Sequence, residues 1–147
     1  MPTMWHSAEP TPAFRAAGQA VDLSSPQTAA QALAVFFRIA ERWGLGPVER
    51  QTLLGVSRTV YYRWQAGHVQ AALDATTAER LSYIFRIFGA LQVLLPIAER
   101  ADAWIRQTNS APLFGGGTAL ARMLGGRVGD LKDVADFLDA QRGGDFA

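Results

Sequence analysis

The chain has 147 residues, 49% hydrophobic and 18% charged, which suffices for a buried core and argues against wholesale disorder. It contains no cysteine, which excludes disulfides, thiolate metal sites and cysteine nucleophiles and fits a reducing, cytoplasmic setting. A formal net charge of +1 excludes a strongly basic or acidic polyelectrolyte, so any charge-based binding must come from local patches.

Residues 1–24 carry Pro2, Pro10 and Pro12 and little periodicity. They read as a loose arm, with Trp5 and Phe14 as docking points and no basic start followed by an apolar run that would mark a secretory leader. Ser25-Pro26 pairs a cap residue with proline at the first helical position, and Leu33, Phe36, Phe37, Ala40 and Trp43 then recur at helical spacing up to Gly44. Gly46-Pro47 opens a second, short helix to Leu54. Gly55-Val56-Ser57 is a tight turn, and Ser57 caps a third helix to about Ala66.

After a polar gap from Ala71 to Thr76, the Thr76/Glu79 spacing predicts a capping box and a long fourth helix. Its apolar set is Leu81, Ile84, Phe85, Phe88, Leu91 and Leu95. Pro96 interrupts it. A fifth helix is expected over Ile97 to Gln107, with Ala101, Trp104 and Ile105 inward. Asn109 to Gly117 is rich in turn residues. Thr118 caps a short sixth helix to Leu124, and Asp130 to Gln141 forms the last, burying Leu131, Val134, Phe137 and Leu138. The stretch from Gly89 to Ala98, with Gln92 and Pro96 inside it, is too short to span a bilayer. No sustained alternation of β-branched residues occurs, so the expected fold is all-α.

The charges segregate along this order. Five arginines (Arg38, Arg42, Arg50, Arg58, Arg63) fall between Phe36 and His68 against Glu41 and Glu49, whereas five aspartates fall between Val128 and Ala147 against Lys132 and Arg142. Such a division suits one surface for nucleic acid and another for a different partner, with ordinary charge scatter as the alternative.

Leu54 to Trp64 holds the requirements of a helix-turn-helix. Gly55 can take the positive φ between two short helices, Val56 packs into their angle, and Tyr61 and Trp64 point inward one turn apart. The remaining face is Ser57, Arg58, Thr59, Tyr62 and Arg63, the candidate DNA-binding residues. Arginine bonds guanine bidentately, and the hydroxyls reach phosphates or base edges. This stretch resembles the helix-turn-helix of Xre-type repressors in its Leu-Gly-Val-Ser-Arg and Arg-Trp elements; Gln51 stands where that family usually has a small residue. One such unit reads few base pairs, so a homodimer on operator DNA is expected, with Phe37 and Phe88 as candidates for its face.

From about Thr77 to Gly144 the chain resembles the Xre/MbcA/ParS toxin-binding domain. The resemblance rests on Glu79-Arg80-Leu81, Ala103-Trp104-Ile105 followed by Asn109, Phe114-Gly115-Gly116-Gly117, Ala119-Leu120 to Leu124, and the helix from Val134 to Gly143. Thr108 and Ala119 replace the usual prolines. The resemblance implies three parts: an arm (1–24), an Xre-like DNA-binding bundle (25–72) and a small helical toxin-binding domain (73–147). It also implies an antitoxin that autorepresses its operon and blocks the active site of a cognate toxin, commonly a RES-domain protein acting on NAD. Asp133, Asp136, Asp139, Gln141, Arg142 and Gly143 are the expected toxin contacts, because an acidic helix complements a cationic nucleotide cleft. A stand-alone regulator whose C-terminal half dimerises or senses a ligand is the alternative.

Enzyme signatures are missing. His6 and His68 lack partners at ligand spacing, and the triple glycine lacks the Gly-Lys-Ser/Thr of a phosphate loop. Asp130, Asp133, Asp136 and Asp139 recur every three residues, which reads as a solvated acidic face rather than a metal site, with Asp130 favouring the helix dipole. Neither cofactor nor metal nor catalytic residue is expected.

Overall fold

The computed structural model of the protein describes residues 25–145. The arm with His6, Trp5 and Phe14 lies outside them. Seven α-helices occupy the described chain: α1 (Pro26–Arg42), α2 (Pro47–Leu54), α3 (Arg58–Gln65), α4 (Ala75–Leu94), α5 (Ala98–Ala103), α6 (Ala119–Met123) and α7 (Val128–Ala140). Tighter 3₁₀ turns cover Trp104–Arg106 and Pro112–Phe114, and a wider π turn covers Gln141–Asp145. Among the described residues there is no strand; an isolated antiparallel bridge joins Thr108 to Thr118 and closes the glycine-rich loop. The all-α expectation therefore holds.

Local chemistry sets most helix starts. Ser25 Oγ accepts from Thr28 N–H at 3.1 Å, Ser57 Oγ from Val60 N–H at 3.2 Å, and Thr118 Oγ1 from Ala121 N–H at 3.0 Å. At α2, Glu49 reaches back to the Gly46 N–H at 2.9 Å, ahead of Pro47 in the first turn. The start of α4 differs from the sequence reading. Asp74, not Thr76, is the cap, accepting from Thr77 N–H at 2.8 Å, and Glu79 instead accepts from the Tyr83 hydroxyl at 2.9 Å. An ionised carboxylate is the stronger acceptor for a helix-terminal N–H, so the earlier of two possible caps prevails. Leu95, before Pro96, is extended (φ −124°, ψ 94°) and ends α4 as pre-proline sterics require.

Two further expectations shift. The fifth helix is α-helical only to Ala103 before tightening, and the last begins at Val128, two residues before Asp130. Asp130 consequently sits inside the first turn of α7 and is 3% exposed, not a solvated dipole charge.

The central element is α4. Its Leu81, Ile84, Ile87, Ala90 and Leu91 are essentially inaccessible, and it packs on α1 and α2 as well as on α5 and α7. One hydrophobic cluster thus runs from Leu33, Phe36 and Trp43 through α4 to Ile105, Met123, Leu131 and Leu138. Each such side chain contributes about 1.5–3 kcal/mol on burial. Phe88 belongs to this cluster, 5% exposed and packed against Trp43 with centroids 6.1 Å apart, so it cannot present a dimer face; Phe37 stays half-buried.

Candidate nucleic-acid and partner interfaces

Gly55 ends α2 at φ +68°, the left-handed conformation glycine adopts freely, and its N–H donates to Gln51 O at 2.9 Å. The turn brings α3 across α2 with Leu53, Leu54 and Tyr61 fully buried between them. Gln51 is half-buried on α2 and leaves this crossing closed. Val56 and Trp64 are half-buried against the core, close to the inward roles expected of them.

The outward face of α3 carries Ser57, Arg58, Thr59, Tyr62 and Arg63, all exposed, so the structure brings the five predicted DNA-binding residues together. Tyr62 is 43% exposed, and the Arg58 guanidinium lies 5.7 Å from its ring centroid. Neither Arg58 nor Arg63 forms an ion pair among the described residues. Among the described residues neither guanidinium spends a donor, which suits phosphate or guanine. A cleft of about 490 Å³ follows the inner flank of α3 between Ser57, Arg63, His68 and the Asp74–Thr77 start of α4.

The acidic helix is built differently. Asp130 pairs with Arg122 at 3.4 Å and Arg127 at 3.3 Å, and Asp133 with Arg122 at 2.8 Å. Asp136 accepts from Arg86 at 3.0 Å and from Lys132 at 2.6 Å, and Asp139 accepts from Arg86. The Lys132 hydrogen bond, then that of Arg86, holds the Asp136 carboxyl below the usual carboxylate range. Burial works against the Arg86 charge, but its bonds to Asp139 and Asp136 outweigh that and raise it above its ordinary value. At α4, the hydrogen bond from the Thr77 backbone lowers the Asp74 carboxyl.

Gln141, Arg142 and Gly143 follow directly in the wider turn after α7. Gln141 and Asn109 line a groove of about 210 Å³ of mixed polar and apolar character with Leu94, Leu95, Trp104 and Phe137. Trp104 stacks on Phe137 at 6.4 Å and meets Phe114 edge-on at 6.0 Å, so the tryptophan is a packing residue on the groove wall. Beside it, Val93 is 60% and Ile97 50% exposed. The glycine-rich loop is a connecting turn: Asn109 N–H donates to Gly117 O at 2.9 Å, Asn109 Oδ1 accepts from Ala111 N–H at 2.9 Å, and Gly115 and Gly116 have positive φ. Among the described residues no cluster of three or more His, Cys, Asp or Glu could hold a metal ion, and no helix is long and apolar enough to cross a membrane.

Comparison with known proteins divides the chain into two adjoining domains. Residues 22–86 match the antitoxin Xre-like helix-turn-helix domain, and residues 85–144 match the antitoxin Xre/MbcA/ParS C-terminal toxin-binding domain. The chain belongs to the Xre/MbcA/ParS antitoxin family. The uncharacterized protein y4oB of Sinorhizobium fredii (strain NBRC 101917 / NGR234) is 47% identical over 113 residues, 76% of this chain and 84% of that relative. The two family matches meet within α4, the helix whose two sides serve both halves of the core.

Four arginines of the antitoxin carry site geometry that the sequence reading did not assign. Arg86 and Arg122 hold the aspartates of α7. Arg106 donates to Trp43 O at 3.2 Å and Gly44 O at 2.9 Å, satisfying carbonyls at the end of α1. Arg80 is buried between two turns. Apart from Arg122, which lies within 11 residues of its acids, they act across 46 to 63 residues of sequence. Arg80 and Arg122 fall within stretches that carry the family resemblance, Glu79–Leu81 and Ala119–Leu124, but neither has a role there.

Proposed function

We propose that this antitoxin neutralises a RES-domain toxin acting on NAD and represses its own operon as a homodimer in the cytoplasm. The observation that carries the reading is the exposed cationic face of α3, whose arginines make no ion pair among the described residues, on the same chain as a toxin-binding domain. Ser57, Arg58, Thr59, Tyr62 and Arg63 enter the major groove, with the arginines reading bases and the hydroxyls anchoring phosphates.

The toxin contact is assigned to the outer face of α7 and the turn after it: Asp133, Asp136, Asp139, Gln141, Arg142 and Gly143. Salt bridges already neutralise the aspartates, so they act there as a pre-ordered rim rather than as free counter-charges. Binding strength comes instead from the Leu94, Leu95, Trp104 and Phe137 side of the groove behind Gln141 and from the Gln141–Gly143 turn entering the toxin's cleft. Such a division follows interface anatomy in general, with a desolvated apolar centre inside a polar rim.

Co-expression with the neighbouring toxin gene tests the first half. Growth resumes if the reading is right, and persistent arrest with both proteins present rejects it. Titration of operator DNA at several salt concentrations tests the second half. Affinity falling log-linearly with salt, and falling further in Arg58→Ala, supports DNA reading. A chain that rescues growth without binding its operator retains only the antitoxin role.

A further inference from the structure

We infer that Arg80 is a positioning residue for DNA reading: its buried guanidinium fixes the Gly55 turn against the Gly125–Gly126 turn of the toxin-binding fold. The inference rests on the assignment of α3 as the reading helix. Arg80 lies on the second turn of α4 and is 9% exposed. Its Nη2 donates to Gly126 O at 2.7 Å, across 46 residues of sequence. Its Nε and Nη1 find no hydrogen-bond partner among the described residues. On the other side the guanidinium presses on Gly55: a Cβ there would lie 2.6 Å from Nε and 2.9 Å from Cζ.

A buried cation with one hydrogen bond is a poor stabiliser, and an apolar side chain of the same length would cost the fold less. What the arginine supplies is location. Its Cδ–Nε–Cζ segment lies against a backbone with no side chain, at the end of α2 where terminal carbonyls favour a positive charge. Its donor edge ends at a carbonyl two residues before α7. Gly55 stands two residues before Ser57, the cap of α3, so a displacement at Gly55 moves the reading helix as a body. Glycine is therefore required at position 55 twice, for φ +68° and for this contact.

The test compares the full chain with R80K and R80M. Each is titrated with operator duplex and with random duplex of equal length, over a range of salt. Amide hydrogen exchange is followed on the free proteins. The operator-to-random affinity ratio should fall about tenfold in R80M and by less in R80K, which keeps a positive charge beside the Gly55 turn. The salt slope should stay unchanged, because Arg80 touches no phosphate. Exchange should quicken together at residues 55–61 and 126–130 and not inside α1. An unchanged ratio with unchanged exchange at both turns overturns the inference. So does exchange that quickens evenly through every helix, the mark of a general stabiliser. If R80M does not fold, R80K is judged by the same two readouts. A parent chain that ignores its operator ends the DNA-reading assignment alone, and exchange still decides whether Arg80 joins the two turns.

Discussion

The two charged helices of this antitoxin use their charges in opposite ways. On α3, Arg58 and Arg63 are exposed and make no ion pair among the described residues, whereas on α7 each of Asp130, Asp133, Asp136 and Asp139 is held by a cation of the same chain. A DNA-reading helix must keep its donors free for phosphates and bases. Those donors lose little by waiting in water. An acidic helix that pairs internally is fixed in place by the rest of the fold and offers a partner a neutralised, ordered rim. A run of charge in the sequence therefore does not by itself identify a binding surface; the partners it already has decide.

Breaking the core that joins the two helices should produce the largest effect. Ile84→Ala, at a fully buried position of α4, should lower unfolding stability by about 2–5 kcal/mol. Because one cluster serves both halves, thermal unfolding followed by tryptophan fluorescence and by circular dichroism should remain a single coincident transition. Two separated transitions would show that the halves are energetically independent.

Arg58→Ala and Arg63→Ala sharpen the contrast from the reading side. Each should weaken operator binding by about 1–3 kcal/mol and leave stability within about 0.5 kcal/mol. Gel-shift midpoints and melting curves check this, and equal midpoints for both variants would remove α3 from DNA recognition.

The acidic side should behave in reverse. Asp130→Ala removes a nearly inaccessible carboxylate from Arg122 and Arg127 and should cost about 2 kcal/mol of stability, less than a fully buried pair because Arg122 keeps Asp133 and Arg127 is exposed. Operator affinity per folded molecule should not change. Asp136→Asn removes only exposed pairing and should cost under about 1 kcal/mol, shrinking further in high salt.

The remaining contrast is a pH dependence. The Asp74 carboxyl is lowered by the Thr77 N–H, so its stabilisation is complete above its unfolded value near pH 4 and disappears as pH falls through the lower folded value. Asp74→Ala should cost about 1 kcal/mol at neutral pH, the usual value of a helix cap. Asp74→Asn keeps the capping oxygen and should flatten the acid limb of the stability profile. An acid limb identical to that of the parent would show that this cap does not titrate with folding.

Sequence alone determined the features that depend on near neighbours. The caps at Ser25, Ser57 and Thr118, the left-handed turn at Gly55, the stop at Pro96 and the outward face of α3 follow from bonds and sterics within four residues, so the all-α fold and the exposed polar and cationic face of α3 were legible. Tertiary structure decided what depends on distance. It buried Asp130, drew Phe88 into the core, paired Arg86 with Asp136 and Asp139, and set Arg80 between Gly55 and Gly126. A side chain's charge is written locally, but its partners and solvent access are fixed only once remote segments pack against it, and for α7 that packing changed an acidic run into a set of ion pairs.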